Sequence, residues 1–381
     1  MQIQCRCRMT LRVLLVSVGC MSAVSVRGAA MSVDREIVLG TSGTVKDLDV
    51  PMAPLEAGPG VVFTKVQEFK EATSVRLHFT VDHGMADSDW AVVVVGADGR
   101  RWEHRPETAD DDEFWSDEVG GSSATVQLVS TVERTHARIL LDRIAGTKPS
   151  SKPKGIIGDD DREAWPKQQE PFLTLGRSVV RLRFVDDVHK KVFVCTGWLA
   201  FTDRHILTNE HCINTRSEAR SALVDFDFDR YDLSAPPTTV RLRRIVMTDA
   251  RLDFSLLELR ESARRPVLAI GSKGPSTGDA LLIIEHPAGE PKQLSRIGCK
   301  VAQAEATGTT DDKTDFAHLC DTLGGSSGSP VLDATKLVVV GLHHLGYSGT
   351  DLVNRAVCID QISAAISSKV PKISEGSAAA K

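Results

Sequence analysis

The segment GGSSGSPV, Gly324 to Val331, sets a serine among small residues that permit a sharp turn, the setting that nucleophilic acyl transfer requires. On such a turn the backbone N–H groups of Gly325 and Ser327 can converge on one developing oxyanion. The same four letters occur at Gly120, Gly121, Ser122 and Ser123, but there they run into Ala124 and a polar strand, and only the second copy continues Gly-Ser-Pro-Val. A Ser/Gly-rich loop is by composition a linker, so Ser327 counts as a nucleophile only with a base and an orienting acid. RHILTNEHC, Arg204 to Cys212, is a short apolar strand that ends in His211. Cys212 can pair with Cys195 in the preceding strand KVFVCTGWLA, closing a loop of about 17 residues worth roughly 3 kcal/mol and fixing the backbone that carries the imidazole. In RLDFSLLEL, Arg251 to Leu259, Asp253 opens an apolar run with the character of a buried strand. A carboxylate there can orient an imidazole and stabilise its charged form. Asp249, four residues earlier, is the rival for that role and lacks the apolar strand behind it.

The order His211, Asp253, Ser327, carried by LTNEHC, LDFSLLEL and GGSSGSPV, resembles the chymotrypsin-fold serine endopeptidases, closest to the bacterial trypsin-like branch that includes the glutamyl endopeptidases. The resemblance covers about Ile156 to Val370. It implies an all-β, two-barrel domain with a C-terminal helix, in which Ser327 attacks a scissile carbonyl, His211 moves the proton and Asp253 holds the tautomer. It also implies protein or peptide substrates, no cofactor, no metal and a monomer. Ser326 departs from the pattern, because trypsin-type enzymes carry there the aspartate that accepts a newly cut N-terminus. GIIGDDDREAW resembles the mature N-terminal segment of the glutamyl endopeptidases, which makes cleavage near Lys154 an expectation and a free amine at Gly155 a possible part of the pocket. In that branch a threonine and a histidine at the positions of Thr322 and His343 contact an acidic substrate side chain, as charge-assisted donors can. Asp321, six residues before Ser327, stands at the offset of the carboxylate that selects lysine and arginine. The expectation is cleavage after Glu or Asp, with Lys/Arg cleavage as the alternative. His286, in His286-Pro287-Ala288-Gly289, is read as structural. A catalytically silent binding protein on the same scaffold is the non-enzymatic alternative. A secreted esterase is disfavoured, because its histidine would come last in the chain.

The elements that must position these groups lie in a chain of 381 residues, long enough for two domains, with 41% hydrophobic and 25% charged residues and a net charge of −5. That charge gives no argument for nucleic acid or an acidic membrane surface. Arg6, Arg8 and Arg12 precede an apolar run from Val13 to Val26, and Gly28-Ala29-Ala30 supplies a cleavage site, so residues 1–30 are read as a signal peptide and the protein as secreted or periplasmic, of bacterial type. The run is too short for a stable membrane span. Lipoprotein anchoring through Cys20 is the minor alternative. Of eight cysteines, Cys5, Cys7 and Cys20 fall in that segment and five remain. Cys195 with Cys212 is the first expected bridge and Cys299 with Cys320 the second, with Cys358 left over. Pairing of Cys358 with Cys320 or Cys299 stays open, since sequence does not fix connectivity. No pair has Cys-x-x-Cys spacing, the usual sign of a metal site.

Residues 31–146 alternate short strands and turns, as in SVRLHFTV at Ser74 to Val81, and suggest a β-sandwich accessory domain. Trp90, Trp102 and Trp115 either fill its core or stack on sugars. Residues 147–166, rich in Lys, Pro, Ser and Gly, form the expected linker and cleavage region. Residues 167–371 form the expected protease domain, whose strands recur at barrel-like spacing. Ile362, Ala365 and Ile366 stand at helical spacing in its closing helix, and residues 372–381 are an expected tail.

Overall fold

The structure, a computed structural model, describes residues 39–53, 58–81, 89–105, 112–133, 138–148, 155–231, 236–310, 312–346, 352–370 and 373. The signal-peptide reading lies outside the described residues, as do residues 149–154 of the linker and all of the tail except Ile373.

The N-terminal part consists of two facing sheets. One contains Gly40–Met52, Ile139–Thr147, Ser74–Val81 and Glu113–Trp115; the other contains Gly60–Glu68, Ser123–Ser130, Trp90–Gly96 and Arg101–His104. Alternation places every second residue of SATVQLVS inward, and these meet Leu77, Phe79, Trp90 and Val92 in one core. Trp90 and Trp115 are buried, whereas Trp102 is half-buried and stacks on His104. In an isolated sandwich the alternation of SVRLHFTV would leave Arg76 and His78 facing water. Both are instead buried, because a barrel covers that face, and Arg76 Nη2 donates to Ser221 O at 2.8 Å.

That barrel is closed and six-stranded: Val179–Asp186, Lys191–Leu199, His205–Thr208, Phe254–Leu259, Thr238–Asp249 and Leu223–Phe226, the last returning to the first. The sandwich is continuous with it. Gly40 to Thr44 pair with Val194 to Lys191, so a single sheet runs from one unit into the other. Linker composition between two segments does not report pairing made upstream of it, and the sequence offers no sign of this junction. The second unit is an open half-barrel, whose strands Leu281–Glu285, Pro330–Asp333, Val339–Leu345, Asn354–Cys358, Asp315–His318 and Val301–Ala306 follow one another in the sheet. The chain is therefore mostly β, with the two-barrel chymotrypsin-like architecture and a C-terminal helix. That helix, Ile359–Lys369, buries Ile359, Ile362 and Ile366 against Trp198, Leu332 and Leu342 between the units. Among the described residues no helix is long and apolar enough to cross a membrane.

A buried ion cluster ties the first barrel together. Asp225, fully buried, accepts from Arg181 Nε at 2.9 Å, Arg183 Nε at 2.8 Å and Thr239 Oγ1 at 2.7 Å, and Arg183 also reaches Glu118 of the sandwich. Burial alone would raise the Asp225 carboxyl, but the two guanidiniums outweigh it and hold it well below the usual carboxylate range. A depressed carboxyl contributes stability above the unfolded-state value, near pH ~4, and that contribution fades as the pH falls below it. Asp225→Asn is expected to cost about 3–5 kcal/mol near neutral pH, by leaving two buried guanidiniums short of charge. In denaturant titrations the gap from wild type should shrink below about pH 4. A gap independent of pH would count against this account.

Candidate functional site

Antiparallel pairing brings His211 and Asp253 to one end of the first barrel. The last rung between His205–Thr208 and Phe254–Leu259 joins Thr208 to Ser255, so His211 leaves that end just where Asp253 enters it. Asn209 Nδ2 donates to Asp253 O at 2.9 Å and the His211 amide donates to Asp253 Oδ1 at 3.0 Å. The ring follows, with His211 Nδ1 at 2.7 Å from Asp253 Oδ2. A carboxylate on Nδ1 fixes the proton there and leaves Nε2 as the basic atom. His211 Nε2 is buried and, among the described residues, makes no hydrogen bond. The Cys195–Cys212 disulfide holds the backbone next to it. Asp249 is occupied elsewhere, its Oδ1 accepting from the amides of Arg251 and Leu252 to shape the turn ahead of Asp253.

Ser327 arrives from the second unit, three residues ahead of the strand Pro330–Asp333. Its turn is bound on both sides: the Thr196 amide donates to Ser327 O at 2.9 Å, and the Gly328 amide donates to His343 O at 2.8 Å. Cys212 Sγ lies 3.9 Å from Ser327 O, which sets the turn beside the segment that bears His211. Gly328 has φ +87°, and a Cβ there would stand 2.1 Å from Thr196 O, so only glycine allows the turn to approach the first barrel this closely. Gly324 O accepts from the Ala288 amide at 2.7 Å, and because a trans peptide points N–H opposite to C=O, this fixes the direction of the Gly325 amide. Among the described residues neither the Gly325 nor the Ser327 amide donates a hydrogen bond.

The strand Val339–Leu345 brings two histidines to the same place. His343 Nδ1 lies 3.2 Å from His318 Nε2, and His318 Nδ1 accepts from the Cys320 amide at 3.3 Å. The accepting Nδ1 places the His318 proton on Nε2, which donates to His343 Nδ1 and leaves the His343 proton on its own Nε2. Burial pushes His318 down to about 3 and holds His343 well below the usual imidazole range, so both rings are neutral. His344 turns the other way. Its Nδ1 lies 3.0 Å from Asp253 Oδ2 and its Nε2 2.6 Å from Asp315 Oδ2. Asp253 is fully buried; burial alone would raise its carboxyl, but His211 and His344 outweigh it and hold it far below the usual range.

Thr322 and Asp321 both contact the segment that begins at Gly155. The Thr322 amide donates to Gly155 O at 3.1 Å, and Asn354 Nδ2 donates to the same oxygen at 2.8 Å. Asp321 does not stand free: Oδ1 accepts from the Ile157 amide at 2.7 Å and Oδ2 from the Asp161 amide at 3.0 Å. His286 is fully buried, with Nδ1 at 3.0 Å from Glu290 O. The structure contains the Cys299–Cys320 disulfide, and among the described residues Cys358 has no disulfide partner; it is buried, which pushes its thiol up to about 12. Among the described residues no cluster of three or more His, Cys, Asp or Glu could hold a metal.

The sequence reading missed His344, Asp315, His318 and Glu285. The one available signal was the pair of histidines inside an apolar strand, since buried polar groups need partners. Glu285 is fully buried, with the Ser326 hydroxyl as the side chain that acts on its carboxyl. Burial pushes its carboxyl up to about 8 against the pull of Arg162. A raised carboxyl contributes stability while protonated, present below the unfolded value of 4.5 and lost as the pH rises through about 8. Glu285→Gln should remove this dependence. Thermal melts from about pH 5 to about pH 9 are expected to fall for wild type and stay level for the variant, which becomes the more stable protein at the alkaline end. Parallel curves would refute the assignment of a neutral Glu285.

Comparison with known proteins adds four similarities. The chain is 31% identical over 276 residues to "Secreted RxLR effector protein 73" of Plasmopara viticola, covering 63% of this chain and 66% of that protein. It is 27% identical over 197 residues to "Uncharacterized protein y4fB" of Sinorhizobium fredii, covering 46% and 29% respectively. The chain thus spans just under two thirds of the first relative's length and under a third of the second's. The active form of the Rv3671c protease from M. tuberculosis aligns at 17% identity with a TM-score of 0.43, over 58% of this chain and 92% of that one. Residues 195–342, the stretch that bears His211, Asp253 and Ser327, match the family model of the trypsin-like peptidase domain.

Proposed function

We propose that this protein is a serine endopeptidase that works through an acyl-enzyme. The observation that carries the reading is the His211–Asp253 pair, with Nε2 of His211 unbonded among the described residues and the turn of Ser327 lying against the neighbouring Cys212. Ser327 Oγ attacks the scissile carbonyl carbon while His211 Nε2 takes the hydroxyl proton, and the amides of Gly325 and Ser327 receive the oxyanion. Collapse breaks the C–N bond, and His211 returns the proton to the leaving amine. Water then repeats the sequence on the ester, with His211 as base, and releases the acid and Ser327.

The pocket chemistry favours an acidic residue before the scissile bond. The chain from the Cys320 amide through His318 to His343 is directional, so the His343 Nε2–H is a neutral donor suited to a carboxylate, with the Thr322 hydroxyl as its companion. Asp321, on which a reading for lysine or arginine rests, is instead used to hold the segment after Gly155, one oxygen accepting from the Ile157 amide and the other from the Asp161 amide. Two disulfides and a relative described as secreted support action outside the cell. The division into a leader at 1–30, a sandwich at 31–146, a linker at 147–166, a peptidase unit at 167–371 and a tail at 372–381 belongs to the same proposal, as does a monomeric state.

Wild type is expected to take up a fluorophosphonate probe and Ser327→Ala to take up none. Mass spectrometry of a digested protein should show new C-termini at Glu and, less often, Asp. His343→Ala is expected to lower kcat/KM on Glu-containing peptides roughly 10- to 100-fold, the worth of one hydrogen bond to a charged group. New termini at Lys or Arg would overturn the acidic preference, and an unlabelled wild type would leave a binding protein on a peptidase scaffold.

A further inference from the structure

Two carboxylates reach His344, one at each ring nitrogen. Asp253 Oδ2 lies 3.0 Å from Nδ1 and Asp315 Oδ2 lies 2.6 Å from Nε2, and all three side chains are buried. A neutral imidazole carries one N–H, so between two ionised carboxylates it would set a lone pair against an oxygen at one of these contacts. Only the doubly protonated ring satisfies both. The strand is built to present it. Pairing with Asn354–Cys358 goes from His343 opposite Ala356 to Leu345 opposite Arg355, which leaves His344 as the extra residue of a β-bulge. Strand alternation already turns His344 to the face opposite His343 and His318, and the bulge adjusts its aim locally.

We propose that His344 is a positioning residue of the site: a permanently charged imidazolium that clamps Asp253 opposite His211 and draws off part of its negative charge. This rests on the peptidase reading and extends it. Asp253 Oδ2 is shared between His211 Nδ1 at 2.7 Å and His344 Nδ1 at 3.0 Å. The charge on His344 and a second proton taken up by His211 therefore repel each other across one shared oxygen. The groups facing this cluster are Asp253 from the first barrel, Asp315 and His318 from the strand Asp315–His318, and His343 from its own strand. His318 and His343 are neutral, and Asp315 is further fixed by Thr314 Oγ1 on its Oδ1 at 2.9 Å. Burial disfavours charge on His344, yet Asp315 and Asp253 together push it up to about 10.

The test uses the full chain. In Ser327→Ala protein, nitrogen-15 NMR of the histidine rings should show two N–H signals for His344 throughout about pH 6 to about pH 8. In active protein His344→Asn keeps a donor toward Asp253 and removes the charge. The acid limb of its kcat/KM profile is expected to move up by about one pH unit. His344→Asn with Asp315→Asn removes one charge of each sign, which guards against misfolding around an unpaired Asp315, and should move the limb the same way by less. A merely structural His344 would lower the melting temperature and leave the limb in place. A single N–H on His344 at neutral pH, or an unmoved limb in both variants, overturns the proposal. Failure of wild type to bind the fluorophosphonate sinks the peptidase reading and this role with it, whereas labelled wild type with an unmoved limb sinks the role of His344 alone.

Discussion

A fully buried carboxylate stays ionised only if donors replace the water it has lost, and the site is organised around meeting that demand at Asp253. Donors arrive from three directions: the His211 amide, the His211 ring and the His344 ring. The first two belong to the same barrel as the acid, while the third reaches over from the half-barrel. The carboxylate is therefore a joint between the two units. It couples the fold to the chemistry, since any movement of one unit against the other changes how the imidazole of His211 is held.

The same logic of buried charge joins the sandwich to the barrel. Arg76, Arg183 and Arg241 lie at that junction, and each reaches one carbonyl or carboxylate of the opposing unit: Ser221 O for Arg76, Glu118 for Arg183 and Asp117 for Arg241. An apolar cluster of Val45, Trp115, Ala145, Val185 and Val192 fills the space between them. Breaking such a contact strips each buried guanidinium of one of its acceptors, a cost that adds to the lost apolar area. The N-terminal unit is thus bound as part of the body that holds His211.

How much of this was legible in the sequence depends on how local each signal is. The strands around His211 and Asp253 are readable because an apolar run followed by one polar residue constrains the backbone within a few positions. The turn at Ser327 is readable because glycines and serines in that order leave few alternatives. The closing helix follows from the spacing of Ile362, Ala365 and Ile366. His344 was hidden, although its string was in view, because alternation gives its face but not that Asp253 and Asp315 meet it there from other strands. Asp315 was hidden because its importance comes only from a residue 29 positions away. The engagement of Asp321 by Ile157 and Asp161 follows from tertiary contact across more than 150 residues, which no local pattern encodes. The burial of Arg76 and His78 escaped notice for the same reason, since alternation tells which residues share a face and not what covers it.

The strand Gly40–Met52 makes a bond of a different kind between the parts. Its first residues lie along Lys191 to Val194, and a Cβ at Gly40 would come within 2.9 Å of Gly324 O, so the strand rests against the very loop that leads to Ser327. Scission of the main chain between residues 148 and 155 would accordingly yield two polypeptides that stay associated through β-ladder hydrogen bonds. The shorter fragment would remain as a subunit shielding the edge of Lys191–Leu199 from adventitious strand addition.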